Sequence, residues 1–313
     1  MNLTDKIIIT GAAGLVGQNL IVQLQEKGYQ NIVALDKHAY NLSILKQLHP
    51  QVNTQWADLS QPGPWQEHFA QGRCLILLHA QITGKTQEIF VRNTLHSTQH
   101  SLEAARRYGI PYIVHVSSSV VNSVAHDDYT VTKRKQEQMV IQSGIHYCVL
   151  RPTLMFGWFD PKHLGWLSRF MEKSPIFPIP GHGRYARQPL YNKDFCRMII
   201  YGMEHTPQDK IYDIVGCDTI DYVDIIWMIK RVKGLQTRIV HIPYKLFYFL
   251  LKTYALFSRF PPFTADQLKA LTAGDYFTGV DTQATFGITQ TPFSQAIKET
   301  FCDSRYSQII LKR

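Results

Sequence analysis

The sequence predicts an α/β fold, a doubly wound parallel sheet followed by a smaller C-terminal α/β lobe. Short apolar runs that suit buried parallel strands alternate with segments of helical period, and this alternation weakens after about residue 155. Strand–helix alternation implies right-handed crossovers, which place helices on both faces of one sheet. The predicted strands are Lys6–Thr10, Asn31–Leu35, Cys74–His79, Tyr112–Val116 and His146–Leu150.

The second half of the chain differs from the first in composition and periodicity. Residues 157–190 are rich in Gly, Pro and aromatic residues and show weak periodicity. One further strand–helix unit follows, with a strand at Lys210–Val215 and a helix from Thr219 to about Lys233. The expected division is residues 1–155, with the unit near 190–233, for the main domain and residues 156–190 with 234–313 for the lobe.

Composition excludes several classes of protein. The 313 residues include 33 Lys and Arg and 24 Asp and Glu, a net charge of +9, and 45% are hydrophobic, which excludes a disordered, collagen-like or low-complexity chain. Basic residues occur along the whole chain, and the densest cluster, Lys133–Lys135, is too short to track a nucleic-acid backbone. We therefore expect no nucleic-acid partner. The charge excess would suit an anionic substrate or an anionic surface.

The cysteines and the apolar segments bear on the compartment. Cys74, Cys148 and Cys196 lie in apolar runs, where buried free thiols are expected, and no metal-binding spacing occurs. This pattern predicts a cytoplasmic protein without a metal site, and no signal peptide is recognised. The stretch Leu246–Phe257 is interrupted by Lys252 and is too short for a transmembrane span. Residues 244–263 could form a core helix, or contact a membrane or a dimer surface.

A glycine motif follows the first predicted strand. The sequence TGAAGLVG places GxxGxxG between a strand and a helix, the context in which such a motif binds a dinucleotide in a Rossmann-type fold. Gly11 permits a tight turn, Gly14 lets the backbone approach a pyrophosphate, and Gly17 allows close helix–strand packing. The alternative is a glycine-rich turn without a ligand. The residues predicted to line the pyrophosphate are Gly11, Ala13, Gly14, Leu15, Val16 and Gly17.

An acidic residue closes the second predicted strand. Asp36 follows Gly17 by 19 residues and can accept hydrogen bonds from both hydroxyls of an adenosine ribose, which favours NAD over NADP. Lys37 is next to it and could tolerate a 2′-phosphate. Asp58 and Leu59 follow a further presumed strand, which lies between Asn31–Leu35 and Cys74–His79, and would hold the adenine, or Asp58 is an ordinary residue of a turn.

Polar residues follow the predicted strand Tyr112–Val116. The Tyr112–Val116 strand ends in three serines, and Tyr129 and Lys133 come later at i and i+4 of a helical segment, so they share one helix face. An ammonium group near a phenol lowers the pKa of the phenol. Such a tyrosine can exchange a proton with a substrate hydroxyl while a hydride moves to or from a nicotinamide. A serine at the strand end would orient that hydroxyl.

These motifs together resemble the extended short-chain dehydrogenases/reductases, specifically the NAD-dependent epimerase/dehydratase family. The resemblance covers about the first 195 residues and continues loosely to about residue 300. The matching motifs, in family order, are TGAAGLVG, Asp36, Asp58–Leu59, ILLHAQ at 76–81, Asn93 in N-x-x-x-T-x-x-L-x-x-A-A, the serines, YTVTK and LRPTLMFG at 150–157.

The resemblance implies a role for each matching residue. Tyr129 would be the acid/base, Lys133 its partner and a ligand of the cofactor ribose, and Ser118 the catalytic serine, with Ser119 as the alternative in register. Arg187, or else Arg184, would bind the diphosphate of a sugar nucleotide. The other residues implied to lie at the nicotinamide end of the cofactor, or to support it, are His79, Ala80, Gln81, Asn93 and Pro152.

The motifs predict an NAD-dependent epimerase or oxidoreductase that acts on a nucleotide-linked sugar, and the resemblance suggests a homodimer. Tyr129 follows Ser118 by only 11 positions, and Asn122–Ser123 stand where sugar-nucleotide epimerases usually have Tyr-Gly. This short loop motivates an alternative, a dehydrogenase or reductase of an apolar, steroid- or isoprenoid-like alcohol. So does the aromatic-rich segment 156–177, with Trp158, Phe159, Trp166, Phe170 and Phe177. A third hypothesis is a non-catalytic NAD(H)-binding regulator or assembly factor.

Overall fold

A parallel sheet forms the centre of the structure, a computed structural model that describes residues 1–124, 126–257, 265–274 and 276–312. The strands are β1 (Lys6–Thr10), β2 (Ile32–Asp36), β3 (Asn53–Trp56), β4 (Gly72–Leu77), β5 (Tyr112–Val116), β6 (His146–Pro152), β7 (Met155–Phe156), β8 (Ile176–Pro180), β9 (Ala186–Arg187), β10 (Leu190–Tyr191), β11 (Lys210–Ile214), β12 (Ile220–Asp221) and β13 (Arg238–Ile242).

Helices connect these strands. They are α1 (Leu15–Glu26), α2 (Ala39–Leu48), α3 (Gln87–Phe90), α4 (Ser97–Arg107), α5 (Asp128–Ile141), α6 (Leu164–Lys173), α7 (Asn192–His205), α8 (Tyr222–Val232), α9 (Tyr244–Phe257), α10 (Ala265–Ala273), α11 (Thr282–Phe286) and α12 (Phe293–Cys302). Short 3₁₀ helices occupy Pro64–Phe69 and Ser119–Asn122, and a π-helical turn at Val91–His96 joins α3 to α4.

The central sheet has seven strands in the order β11-β6-β5-β4-β1-β2-β3, and every pair is parallel. The five predicted strands are all present, with ends within two residues of the prediction, and the predicted strand at 210–215 is the edge strand β11. The predicted doubly wound α/β fold is confirmed. The strand order changes direction at β1, which lies between β4 and β2. In such sheets, ligands bind in the crevice outside the carboxyl ends of the strands at this point.

Both faces of the sheet are covered. In β1, Ile7 and Ile9 face one apolar core, formed with α1 and α7, while Ile8 faces the other, formed with α4 and α5. This alternation follows from the period of two in a strand, and burial on both faces explains why the strands read as continuous apolar runs. Cys74, Cys148 and Cys196 are buried and free, as predicted.

The later part of the chain has its own apolar core, formed by α6, α8, α12 and the parallel pair β8–β13. The aromatic residues between 156 and 177 contribute to packing. Trp158 and Phe159 are buried against Tyr306, and Phe177 packs against Phe170. Among the described residues, no helix is both long and apolar enough to cross a membrane.

Candidate active site

The glycine turn joins β1 to α1 at the carboxyl edge of the sheet. Gly11 has a φ of +69°, and a Cβ there would lie 2.7 Å from the backbone nitrogen of His79. A Cβ at Gly17 would lie 2.3 Å from the carbonyl oxygen of Ala12. These two glycines are therefore required by close packing and by backbone conformation.

Gly14 differs from the other two glycines. A Cβ there would meet only the Gly11 oxygen, at 3.4 Å, and no side chain caps the N-terminus of α1. Leu15 and Val16 form the first turn of the helix, where backbone N–H groups have no intrahelical acceptor. This open, uncapped helix start fits the diphosphate of a dinucleotide.

Asp36 lies at the carboxyl end of β2, beside the glycine turn. Its Oδ2 accepts a hydrogen bond from the backbone nitrogen of Ala13 at 2.9 Å, and its Oδ1 accepts one from the backbone nitrogen of His38 at 2.8 Å. Burial raises the pKa of this carboxyl group. Each carboxylate oxygen has a further lone pair, so the group fits the two ribose hydroxyls that the sequence assigns to it.

Lys37 takes part in a polar chain that the sequence did not reveal. Its Nζ donates a hydrogen bond to Asn93 Oδ1 at 2.5 Å and lies 3.7 Å from Asp58 Oδ1. Asn93 in turn donates to Gln81 Oε1 at 2.7 Å. Asn93 therefore links the residues that follow β2 and β4 across the crevice, in addition to any support that it gives to the active-site helix. Leu59, next to Asp58, is buried.

Ser118 and Tyr129 are brought together at the end of β5. Ser118 caps the short 3₁₀ helix that follows the strand, and its side chain is near enough to the phenol of Tyr129 to lower the pKa of that phenol. Ser119 begins the 3₁₀ helix and is buried. Of the two serines that the sequence left open, Ser118 is the one that contacts the tyrosine.

The start of α5 positions Tyr129. Asp127 is the N-cap residue, and its carboxylate accepts hydrogen bonds from the backbone nitrogen of Thr130 at 3.0 Å and from the Thr130 hydroxyl at 2.7 Å. This cap fixes the first turn, so Tyr129 and Lys133 lie on the same helix face, as their spacing predicts.

The acid–base properties of the phenol differ from the expectation. The sequence predicts a lowered pKa for Tyr129, whereas the protein raises it. Burial of the phenol disfavours the phenolate, and the carboxylate of Asp127 acts in the same direction, while the hydrogen bond with Ser118 lowers the pKa.

Lys133 is buried below the tyrosine. Its Nζ donates hydrogen bonds to the carbonyl oxygen of Val116 at 2.9 Å and to Gln136 Oε1 at 2.6 Å. Only 2% of the Lys133 side chain is exposed, and this burial lowers its pKa to about 7. The amine therefore lies at the carboxyl end of β5, in an environment that favours its neutral form.

Gln136 connects this amine to β4. Its Nε2 donates to the carbonyl oxygen of His79 at 3.0 Å and to Thr98 Oγ1 at 2.9 Å. The ring nitrogens of His79 lie 3.0 Å from Thr98 Oγ1 and 2.8 Å from Thr10 Oγ1, and burial lowers the pKa of the ring to about 3. The network joins β1, β4, α4 and α5 under the crevice, with a neutral histidine. The sequence signal for Gln136 is its position three residues after Lys133.

Ala80 follows His79 at the same edge of the sheet and is half-buried. Pro152 is buried and ends β6.

Arg187 and Arg184 lie on a separate segment. The Arg187 guanidinium donates to the carbonyl oxygen of Leu271 in α10, and Arg184 is exposed. The residue after Arg187 contacts the end of the central sheet: the carbonyl oxygen of Gln188 accepts a hydrogen bond from the hydroxyl of Thr153, next to β6, at 3.0 Å.

Metal ligands do not cluster in the part of the chain that the structure describes, where no three His, Cys, Asp or Glu side chains could hold a metal ion. The arrangement instead offers a hydroxyl pair, a buried amine and an open helix start along one edge of the sheet. These groups can bind a dinucleotide and exchange a proton with a substrate hydroxyl.

The family of the chain follows from comparison with known proteins. Residues 7–215 match the model of the NAD dependent epimerase/dehydratase family. The chain belongs to this family. Membership makes it an enzyme of the extended short-chain dehydrogenase/reductase type, which confirms the family that the motifs indicated and sets aside the non-catalytic hypothesis. The family's dependence on NAD agrees with the predicted cofactor.

Individual relatives act on different substrates. The chain is 24% identical over 245 residues to a ceramide reductase of Caulobacter vibrioides, and this alignment covers 76% of this chain and 73% of that protein. It is 22% identical over 262 residues to a dTDP-glucose 4,6-dehydratase of Streptomyces griseus, with 74% and 80% covered. The structure of a Thermotoga maritima UDP-glucose 4-epimerase with UDP-glucose aligns with a TM-score of 0.73 at 16% identity, over 94% of this chain and 97% of that one.

Proposed function

We propose that this enzyme transfers a hydride and a proton at a hydroxyl-bearing carbon of a nucleotide-linked sugar, as an NAD-dependent epimerase or oxidoreductase. The observation that carries the proposal is the placement of Ser118, at the end of β5, and Tyr129, at the start of α5, so that the serine hydroxyl acts on the phenol, at the carboxyl edge of the sheet where the glycine turn also lies. A phenol next to a serine hydroxyl at this point can reach the substrate at the nicotinamide end of a dinucleotide.

The residues around the glycine turn would hold NAD. The start of α1 would bind the diphosphate, and Asp36 would accept hydrogen bonds from the adenosine ribose. Asp58 and Leu59 would line the adenine, and residues 79–81 with Pro152 the nicotinamide. When bound, NAD supplies the hydride acceptor or donor.

Tyr129 would move the proton. As the base, its phenolate accepts the proton of the substrate hydroxyl, and as the acid it returns that proton to the carbonyl oxygen. Ser118 would donate or accept a hydrogen bond at the same oxygen and so orient it. Burial raises the pKa of the phenol, and the Ser118 hydroxyl acts in the opposite direction because it stabilises the phenolate.

The substrate class rests on two kinds of support. The Streptomyces griseus relative and the Thermotoga maritima structure are both sugar-nucleotide enzymes by name. Arg187 lies one residue from Gln188, which contacts the carboxyl end of β6, so a diphosphate bound near Arg187 would be next to the sheet edge. The cytoplasmic location, the homodimer and the division into a cofactor domain and a substrate lobe stay predictions.

A second candidate is a reductase or dehydrogenase of a lipid alcohol. The ceramide reductase of Caulobacter vibrioides supports it, as does the short connection between Ser118 and Tyr129, which leaves less chain to cover a sugar. The chemistry at Tyr129 would be the same in both cases.

A substrate panel tests the proposal. The cofactor released from denatured enzyme is identified by mass spectrometry, and UDP-, dTDP- and GDP-sugars are assayed beside long-chain keto and hydroxy lipids with NAD(H). We expect NAD(H) and conversion of a sugar nucleotide. Conversion of the lipids alone, with net change in NADH absorbance, would overturn the sugar assignment in favour of the second candidate.

A further inference from the structure

Helix α9 presents apolar side chains to the outside of the molecule. Leu246, Phe249, Leu250 and Tyr254 are 50%, 65%, 49% and 51% exposed. They occupy positions i, i+3, i+4 and i+8, which lie on one face of a helix. We call these four side chains the α9 face. On the other side of the helix, Phe247, Tyr248 and Leu251 are half-buried.

Lysines lie along one border of the α9 face. Lys245 and Lys252 are exposed and two helical turns apart, next to Phe249 on the helical wheel. Lys252 Nζ is 5.8 Å from the ring centroid of Tyr248, and Lys269 Nζ of α10 is 5.9 Å from it. The long side chains thus cover apolar surface with their methylene groups while their charged ends stay near water.

In the sequence, the charge excess of the chain falls in the segment that contains this helix. Residues 225–265 contain seven Lys and Arg residues and no Asp or Glu. With 33 Lys and Arg and 24 Asp and Glu in the whole chain, the remainder has 26 against 24 and is nearly neutral. An apolar face with a cationic border, on a segment without acidic residues, is the pattern of helices that lie in the interface of an anionic membrane.

We propose that the α9 face docks the enzyme on an anionic phospholipid bilayer, with α9 lying in the plane of the interface. A second copy of this chain is a poorer occupant, because a two-fold contact through α9 would bring lysines together with no carboxylate from residues 225–265 to pair them. The inference concerns binding alone and does not depend on the substrate of the proposed reaction.

The docking surface is connected to the candidate active site. Helix α10 packs beside α9, and its Leu271 carbonyl accepts a hydrogen bond from Arg187. Gln188 then contacts Thr153 at the carboxyl end of β6 and accepts a hydrogen bond from the backbone nitrogen of Phe277 at 2.8 Å. A membrane bound to α9 would therefore be near the edge of the sheet that carries the candidate active site.

Vesicle sedimentation tests the proposal on the full-length enzyme. The wild type is mixed with phosphatidylcholine vesicles that contain phosphatidylglycerol, and with pure phosphatidylcholine vesicles, at low and high salt. We expect binding to the anionic vesicles that weakens with salt. Leu246→Gln with Phe249→Gln should lower the partition coefficient at least about tenfold, and Lys245→Gln or Lys252→Gln about fivefold each.

Matched substitutions outside the helix control for nonspecific effects. Ile310, 49% exposed, is changed to Gln, and the exposed Lys46 and Lys298 are changed to Gln. These variants should bind vesicles like the wild type, and circular dichroism checks that all variants fold. Wild-type binding no greater than that of the Leu246→Gln, Phe249→Gln variant would overturn the proposal. So would a dimer in sedimentation velocity that this variant dissociates, since the face would then bind a second copy.

Discussion

Gln136 Oε1 accepts a hydrogen bond from Lys133 Nζ at 2.6 Å, and the same side chain reaches across to the carbonyl oxygen of His79 at 3.0 Å. One amide therefore holds the buried amine under the candidate active site and ties α5 to the end of β4. This arrangement positions Lys133 through a residue that would not itself contact the substrate.

Replacing Gln136 should disturb both stability and turnover. Gln136→Leu leaves the amine of Lys133 with one acceptor fewer and removes the donor to His79, which should lower the free energy of unfolding by about 1–3 kcal/mol. Turnover should fall, while Gln136→Glu, which keeps an acceptor for Lys133, should recover part of it. Urea denaturation and steady-state kinetics measure the two effects. Gln138→Leu, at an exposed position of the same helix, is the control; equal effects of the two leucine variants would argue against the role of Gln136.

The pKa of Lys133 predicts a pH dependence of stability. Its pKa is about 7 in the folded protein against the ordinary 10.5, so between these values the unfolded chain binds more protons than the folded one. The contribution of Lys133 to the free energy of unfolding therefore rises with pH between these two pKa values and is constant below them. The free energy of unfolding of the wild type should increase relative to that of Lys133→Met as the pH rises from about 7. A difference that is flat or falls with pH would contradict the burial of the amine.

Two substitutions in the glycine turn should distinguish effects on packing from effects on cofactor binding. Gly17→Ala places a Cβ 2.3 Å from the Ala12 oxygen and should cost about 2–3 kcal/mol of stability. Gly14→Ala meets only the Gly11 oxygen, at 3.4 Å, so it should cost less than about 1 kcal/mol, but should weaken NAD binding at least about tenfold. Thermal unfolding and NAD titration calorimetry measure both variants. The prediction fails if Gly14→Ala binds NAD like the wild type.

The sequence predicted the parts of the fold that are locally periodic. The inner strands of the central sheet are buried on both faces, so Ile7, Ile8 and Ile9 form a continuous apolar run that is visible without a structure. By contrast, strands of two residues, such as Ala186–Arg187, have no period, and the weakly periodic segment 157–190 contains α6 and β8. Their pairing partners decide their conformation, and these lie far away in the chain.

The candidate site was predictable where one motif supplies the chemistry. The glycine turn follows from spacing within one strand–helix unit, Asp36 from its place at the end of the next strand, and Tyr129 with Lys133 from spacing on one helix. The contact that distinguishes Ser118 from Ser119 depends on how the end of β5 meets α5, which spacing does not reveal. The bond from Gln136 to His79 joins residues 57 positions apart, and two ordinary polar residues so separated carry no sequence signal.

The central claim, that Tyr129 is the acid/base, is tested most directly by Tyr129→Phe assayed with the substrate that the panel identifies. This change removes the hydroxyl on which Ser118 acts while keeping the ring. The account predicts that kcat falls by about 10²–10⁴-fold, the range of general acid–base catalysis, while the affinity for NAD stays unchanged. A Tyr129→Phe enzyme with the turnover of the wild type would contradict it.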